Sequence, residues 1–177
     1  MSTIQRGFFG GAITALLPST LIDASELRQV PDTQEVFLSP TSDISIILEI
    51  LESVEPRDFS DVAKFHFDSL AHDNDAESST VDDISIILND RGNNTPSPVV
   101  LQGRQQVRKF NRPTANNVRI FLALYRVEAK GADLVLTMNV PATRVDADVQ
   151  EEELRLAKEV FDTAVRSLVI VDLSLFA

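Results

Sequence analysis

LIDASELRQVPDTQEVFL, residues 21–38, carries a helix start, a forced stop, a turn and a strand in close succession, and the rest of the chain is read outward from it. Asp23 is placed to cap a helix. Glu26, three residues on, is placed to reach back as a capping box ahead of about two turns through ASELRQ. Val30 precedes Pro31 and is thereby pushed out of the helical region, and Pro31 with Asp32 supplies turn chemistry. Residues 34–39 then run extended and half buried.

A polar connection of hairpin length, residues 40–43, leads into a second strand over 45–54. Within SIILEILESV, Ile46, Leu48 and Ile50 alternate as in a strand, while Ile44, Ile47, Leu48 and Leu51 also satisfy a helical face. The β-branched content and the hairpin signal favour the strand. Upstream, Arg6 and the apolar run 8–17 imitate a secretory signal, but the run holds two glycines and no small-residue cleavage site before Pro18. A buried first strand over 12–17 is the better reading. No apolar run reaches the length of a membrane span.

Downstream, Asp58 or Ser60 caps a helix to about residue 71, with Val62, Phe65 and Leu70 on its inner side. HDNDAESSTVDD, residues 72–83, reads as an exposed acidic loop. DISIIL occurs at 43–48 and again at 83–88, which we read as two similar strand starts rather than a repeat. NDRGNNTPSP, 89–98, is a turn-rich, mobile loop. Strands over 99–110, 118–127 and 133–140 follow at spacings short enough for an antiparallel meander. The middle one is apolar on both faces, hence central. A helix over 148–168 buries Leu154, Ala157, Phe161 and Leu168, and residues 169–176 close the chain as a strand or packed tail. The sum is an α+β fold, an antiparallel sheet flanked by helices on both faces, in a single domain over 1–177.

Composition narrows the function. The chain has no cysteine, so disulfides, thiolate catalysis and zinc–thiolate sites are excluded. A net charge of -11 repels a phosphate backbone and favours a basic protein partner over nucleic acid. GxGxxG, P-loop, GxSxG and HExxH motifs are all missing. His66 and His72 stand six apart, roughly 120° apart around a helix, which argues against a shared metal. His66 between Phe65 and Phe67 reads as a partly buried histidine satisfied by a neighbour.

GGAITALLP and IDASELRQVPDTQEVF, followed by SIILEILESV, KFHFDSL, LQGRQQVRK, DLVLTMNVP and VDLSLFA, closely resemble the Mog-type Ran-binding proteins, or Ran guanine nucleotide release factors. The resemblance covers nearly the whole chain and is weakest over 73–98. It implies the fold these proteins share with PsbP-like photosynthetic proteins. It also implies a non-enzymatic role: binding the GTPase Ran in GTP-bound and nucleotide-free forms, promoting nucleotide release, GTP above all, and supporting nuclear import. A monomer without cofactor or metal, in nucleus and cytoplasm, with a Ran-binding protein as possible third member of a complex, completes that expectation. Two alternatives stay open. One is a PsbP-like accessory protein without Ran activity, which would want a transit peptide where this chain starts almost directly on its first strand. The other is an enzyme using His66 and a carboxylate.

By residue type alone, Glu49 and Glu52 are an acidic pair interrupting an apolar segment, suited to the polar part of an interface or simply solvated. The resemblance assigns these two positions to Ran binding. Asp23, Arg28, Asp32, Gln34 and Glu35 form a second tier, in which Asp23 is drawn toward capping and Asp32 toward the turn. Arg104, Arg108 and Lys109 form a basic cluster, read as a solvated strand face.

Overall fold

The computed structural model describes residues 2–108, 116–142 and 147–176, with Ala147 by its backbone alone. Two strands open it, β1 (Thr3–Phe8) and β2 (Ile13–Pro18), paired antiparallel around a turn in which Phe9, Gly10 and Gly11 all have positive φ. The chain thus begins one strand earlier than its pattern suggested. TIQRGF is largely exposed until Phe8, so it carries no apolar alternation to read.

β3 (Ile22–Asp23) leads into the segment expected to make two helical turns, and only a single 3-10 turn forms, Ala24–Glu26. Asp23 does cap it, accepting from the Ser25 amide at 2.9 Å. The helix stops there because it has one apolar residue to bury, Ala24, while Leu27 stands 67% exposed. Without a face to pack, the cost of nucleating an α-helix is not recovered. β4 (Gln34–Leu38) and β5 (Ser45–Glu52) then pair as the expected hairpin.

α1 (Phe59–Asp73) starts at Asp58, whose carboxylate accepts from the Ser60 and Asp61 amides at 2.8 and 3.3 Å. Its buried stripe is Val62, Ala63, His66 and Phe67, so Val62 is inside as expected but Phe65 is not. β6 (Ser78–Ile86) occupies ground read as an acidic loop up to residue 83. Its partner explains the difference. Across from it, β7 (Val99–Val107) carries Arg104 of the basic cluster, 2.9 Å from Asp82, and just beyond the paired ends Arg108 stands 2.8 Å from Glu77. Acidic residues that look loop-like alone are matched by arginines on the neighbouring strand. Lys109, the third member of that cluster, lies outside the described residues. Asp82 falls in a bulge between Val81 and Asp83, a device that blunts the outer edge of the sheet.

β8 (Asn116–Val127) and β9 (Ala132–Pro141) complete the antiparallel meander with β7. α2 (Ala147–Ser167), β10 (Val169–Ile170) and a 3-10 turn at Leu173–Phe176 end the chain. The loop 89–98 is held by its own side chains: Asn89 Nδ2 donates to Asn93 Oδ1 and Thr95 O at 2.8 Å, and Thr95 Oγ1 accepts from the Ile170 amide at 2.9 Å.

The described strands form a seven-stranded sheet, β3-β4-β5-β9-β8-β7-β6, and a three-stranded sheet, β1-β2-β10. Alternation along β8 sends Ile120, Leu122 and Leu124 toward α1 and Phe121, Ala123 and Tyr125 toward α2 and the small sheet. Both faces of the large sheet are therefore covered, the α+β sandwich expected from the two-sided apolar strand.

Candidate functional site

Residues of β5 with odd numbers, Ile47, Glu49 and Leu51, face α1. Glu49 lies directly across from Gln34 of β4, whose amide donates to its carboxylate. These two residues, with Phe65, His66, Asp73 and Thr137, line an open cleft of about 330 Å³ between α1 and the sheet. Its remaining lining is largely aliphatic, including Ile47, Leu122 and Val135. A polar rim over an apolar floor suits a side chain that is itself part hydrocarbon and part charge.

Glu52 is three residues from Glu49, and strand alternation aims the two Cβ atoms at opposite faces. Glu52 is the last residue of β5 and exposed, and from there it still borders the same cleft. The second tier divides. Arg28 is exposed just beyond the 3-10 turn, and Asp32 is exposed in a turn closed by Gln34 N donating to Pro31 O at 3.0 Å. Asp23 is engaged with the amide and hydroxyl of Ser25 at 2.9 and 2.7 Å. Glu35 points to the other face of the sheet and accepts from the Phe9 amide at 2.7 Å, holding the tight β1–β2 turn.

Beneath the cleft is a charged network. His66 Nε2 is 2.9 Å from Oδ2 of Asp133, a residue with no exposed surface. Arg126 Nε stands 3.5 Å from the other carboxylate oxygen, while its Nη atoms donate to the carbonyls of Pro56 and Val54, in the segment following Glu52. Histidine, aspartate and arginine thus tie α1, β9, β8 and the β5–α1 connection together. The expectation that His66 is a buried histidine satisfied by a neighbour holds, and the neighbour is Asp133. His72 is exposed at the end of α1, away from that buried position.

A histidine–aspartate pair beside a cleft also invites an acid–base reading. Among the described residues, however, no serine, threonine or lysine hydrogen-bonds to His66, and Asp133 is shared with Arg126. No group of three potential ligands that could hold a metal ion occurs among the described residues. No helix there is long and apolar enough to cross a membrane.

Asp133, Arg126 and Thr137 escaped the sequence reading. The one available signal was a lone acid, Asp133, at the head of the apolar run LVLTM, since a charge in a two-sided strand demands a partner. Naming that partner needed the packing of α1 on β9.

Fold and cleft together define a class: an acidic α+β sandwich with an open cleft, rimmed by carboxylates, beside one helix. The chain belongs to the Ran-interacting Mog1 protein family, whose sequence model matches residues 6–141. It is 34% identical to the nuclear import protein mog1 of Schizosaccharomyces pombe, with 96% of this chain and 98% of that one covered. It is 35% identical to the human Ran guanine nucleotide release factor, with 95% and 94% covered. The crystal structure of the Saccharomyces cerevisiae Ran-binding protein Mog1p superposes over the whole of both chains with a TM-score of 0.82 at 28% identity.

Proposed function

We propose that this chain, acting as one monomeric domain, binds the small GTPase Ran and promotes release of its guanine nucleotide, GTP in particular, in support of nuclear import. The observation that carries the reading is the cleft, where Glu49, Glu52 and Asp73 of a strongly acidic chain converge on open space beside α1. Glu49 and Glu52 are the principal contacts, with Asp23, Arg28, Asp32, Gln34 and Glu35 as secondary ones, of which Gln34 shares the cleft with Glu49.

Release needs no covalent chemistry. Carboxylates docked near the nucleotide compete with phosphate for lysine and magnesium, so the nucleotide-free partner is bound more tightly than the loaded one. Linkage then requires that nucleotide affinity fall by the same factor. A Ran-binding protein joins as third partner, and the protein works in nucleus and cytoplasm, a chain of 19.5 kDa reaching the nucleus by diffusion or with a partner.

The test is release of a fluorescent guanine nucleotide from preloaded Ran, with GTP and GDP analogues, in the presence of excess protein. Acceleration that disappears in Glu49→Lys and Glu52→Lys, with circular dichroism and melting unchanged, supports function and site together. Unchanged release and no complex on a sizing column would defeat the reading.

A further inference from the structure

Phe65 is the exposed phenylalanine among the described residues, with 46% of its surface open, whereas Phe67, two residues on, is fully buried. The cause is helical geometry. With Val62, Ala63, His66 and Phe67 taking the inner stripe of α1, position 65 falls on the flank that overlooks the cleft. Its ring stands edge-on to His66 at 5.7 Å, which fixes it against the cleft wall opposite the strand carrying Glu49. Leu70 of α1 lies on the same side of the cleft, and Leu51 and Val54 add aliphatic surface from β5 and the connection after it.

One largely buried residue in the cleft also presents an unengaged hydroxyl. Thr137, 7% exposed, lines the cleft, and its hydroxyl makes no hydrogen bond to any described residue. A hydroxyl that opens on a cleft without a protein partner is a place where a ligand donor or acceptor fits. The cleft therefore offers an aromatic face, aliphatic walls, a hydroxyl and carboxylates at the rim, which together match a long cationic side chain. The hydrocarbon stem lies on the ring and the charge ends among the acids.

We propose that Phe65 is the apolar contact of the docking face, packing on the stem of a basic side chain of the partner while Glu49 and its neighbours hold the charge. This rests on the docking function proposed above. It goes further in giving the face a hydrophobic anchor, the kind of residue that carries a large share of binding energy at otherwise polar interfaces. A charged cleft alone would accept any cation. The ring makes it favour one presented on a long hydrocarbon stem.

The test measures equilibrium binding of Ran to wild type, Phe65→Ala, Phe65→Leu and Glu49→Lys, each at low and moderate salt, with melting temperatures in parallel. We expect Phe65→Ala to weaken binding about tenfold or more at an unchanged melting temperature. Phe65→Leu should recover much of that loss. The Phe65→Ala ratio should persist as salt rises, while the Glu49→Lys ratio shrinks with screening. Wild-type affinity in Phe65→Ala with binding lost in Glu49→Lys would overturn the anchor and leave the docking face standing. Wild-type affinity in all variants would remove both. If Phe65 serves only to shield the His66–Asp133 pair, Phe65→Ala lowers the melting temperature and leaves affinity intact, which also overturns the proposal.

Discussion

Replacing Arg126 by methionine puts the buried network under direct test. The arginine side chain is 10% exposed and Asp133 is fully buried, so the variant leaves a carboxylate in the interior with His66 as its remaining partner. Removing one member of a buried ion pair costs about 3–5 kcal/mol, because the other charge stays desolvated and uncompensated. The carbonyls of Val54 and Pro56 also lose their donor. They lie in a partly buried connection where water can substitute, so their loss falls within that range rather than adding fully to it. Methionine keeps most of the volume over the Phe59 ring, which limits any cavity contribution. Against a typical domain stability of about 5–15 kcal/mol, the variant should still fold with a much lower urea midpoint at unchanged m-value. Adding Asp133→Asn removes the stranded charge while an amide can still bond to His66, so the double variant should be more stable than the single. A loss under about 1 kcal/mol, or no recovery in the double variant, would refute the view that this is a coupled charge network.

Three further perturbations follow from single contacts. A Cβ at Gly103 would stand 2.6 Å from the Phe67 ring and 2.7 Å from the Thr80 carbonyl, so Gly103→Ala should cost about 3 kcal/mol by denaturation, and trimming Phe67 should relieve only part of it. Tyr125, the sole tyrosine in a chain without tryptophan, is fully buried with its hydroxyl donating to Val165 O at 2.7 Å, and burial drives its pKa far above the usual phenol range. The unfolded phenol ionises near pH 10 and the folded one does not, so stability should fall above that pH by about 1.4 kcal/mol per unit. Tyr125→Phe should remove this component of the alkaline slope, and phenolate absorbance of the native wild type should stay absent until it unfolds. Glu35→Ala strips the acceptor from the Phe9 amide, held at a φ of 53°, and should lower stability by about 1–2 kcal/mol, with a smaller effect on nucleotide release than Glu49→Lys.

What the sequence disclosed and what it withheld divide along a physical line. The two-sided apolar strand at 118–127, the hairpin of β4 and β5, and the cap at Asp58 are local or nearly local, and they stand in the structure as read, while Asp23 caps only a 3-10 turn, by accepting from the Ser25 amide. The misreadings concern elements whose character is set by a neighbour. β6 is acidic and polar, and it is a strand because it pairs with β7 along its length, where Arg104 meets Asp82. Phe65 reads as core from its hydrophobicity, and it is exposed because four other residues fill the inner stripe of α1. Residues 24–29 have the signals of a helix and lack the apolar face that would hold one. For the site, the acids were legible and the cleft was not, since it exists only where α1 overhangs β5 and β9.

That overhang also explains how the proposed docking face can be rigid without being deeply buried. Glu49 is fixed by its register opposite Gln34, and the connection after Glu52 is fixed by Arg126, so both ends of the acidic stretch are tied to the central sheet. A carboxylate that competes with phosphate for a partner's cation loses less conformational freedom on binding if its strand and neighbours are already placed. A loop bearing the same charges would lose that freedom at the moment of docking, weakening the preference for the nucleotide-free partner on which release depends. The proposed site is therefore better served by strand β5, paired on one side by β4 and on the other by β9, than by the edge-lying β6, whose Asp82 is already matched by Arg104.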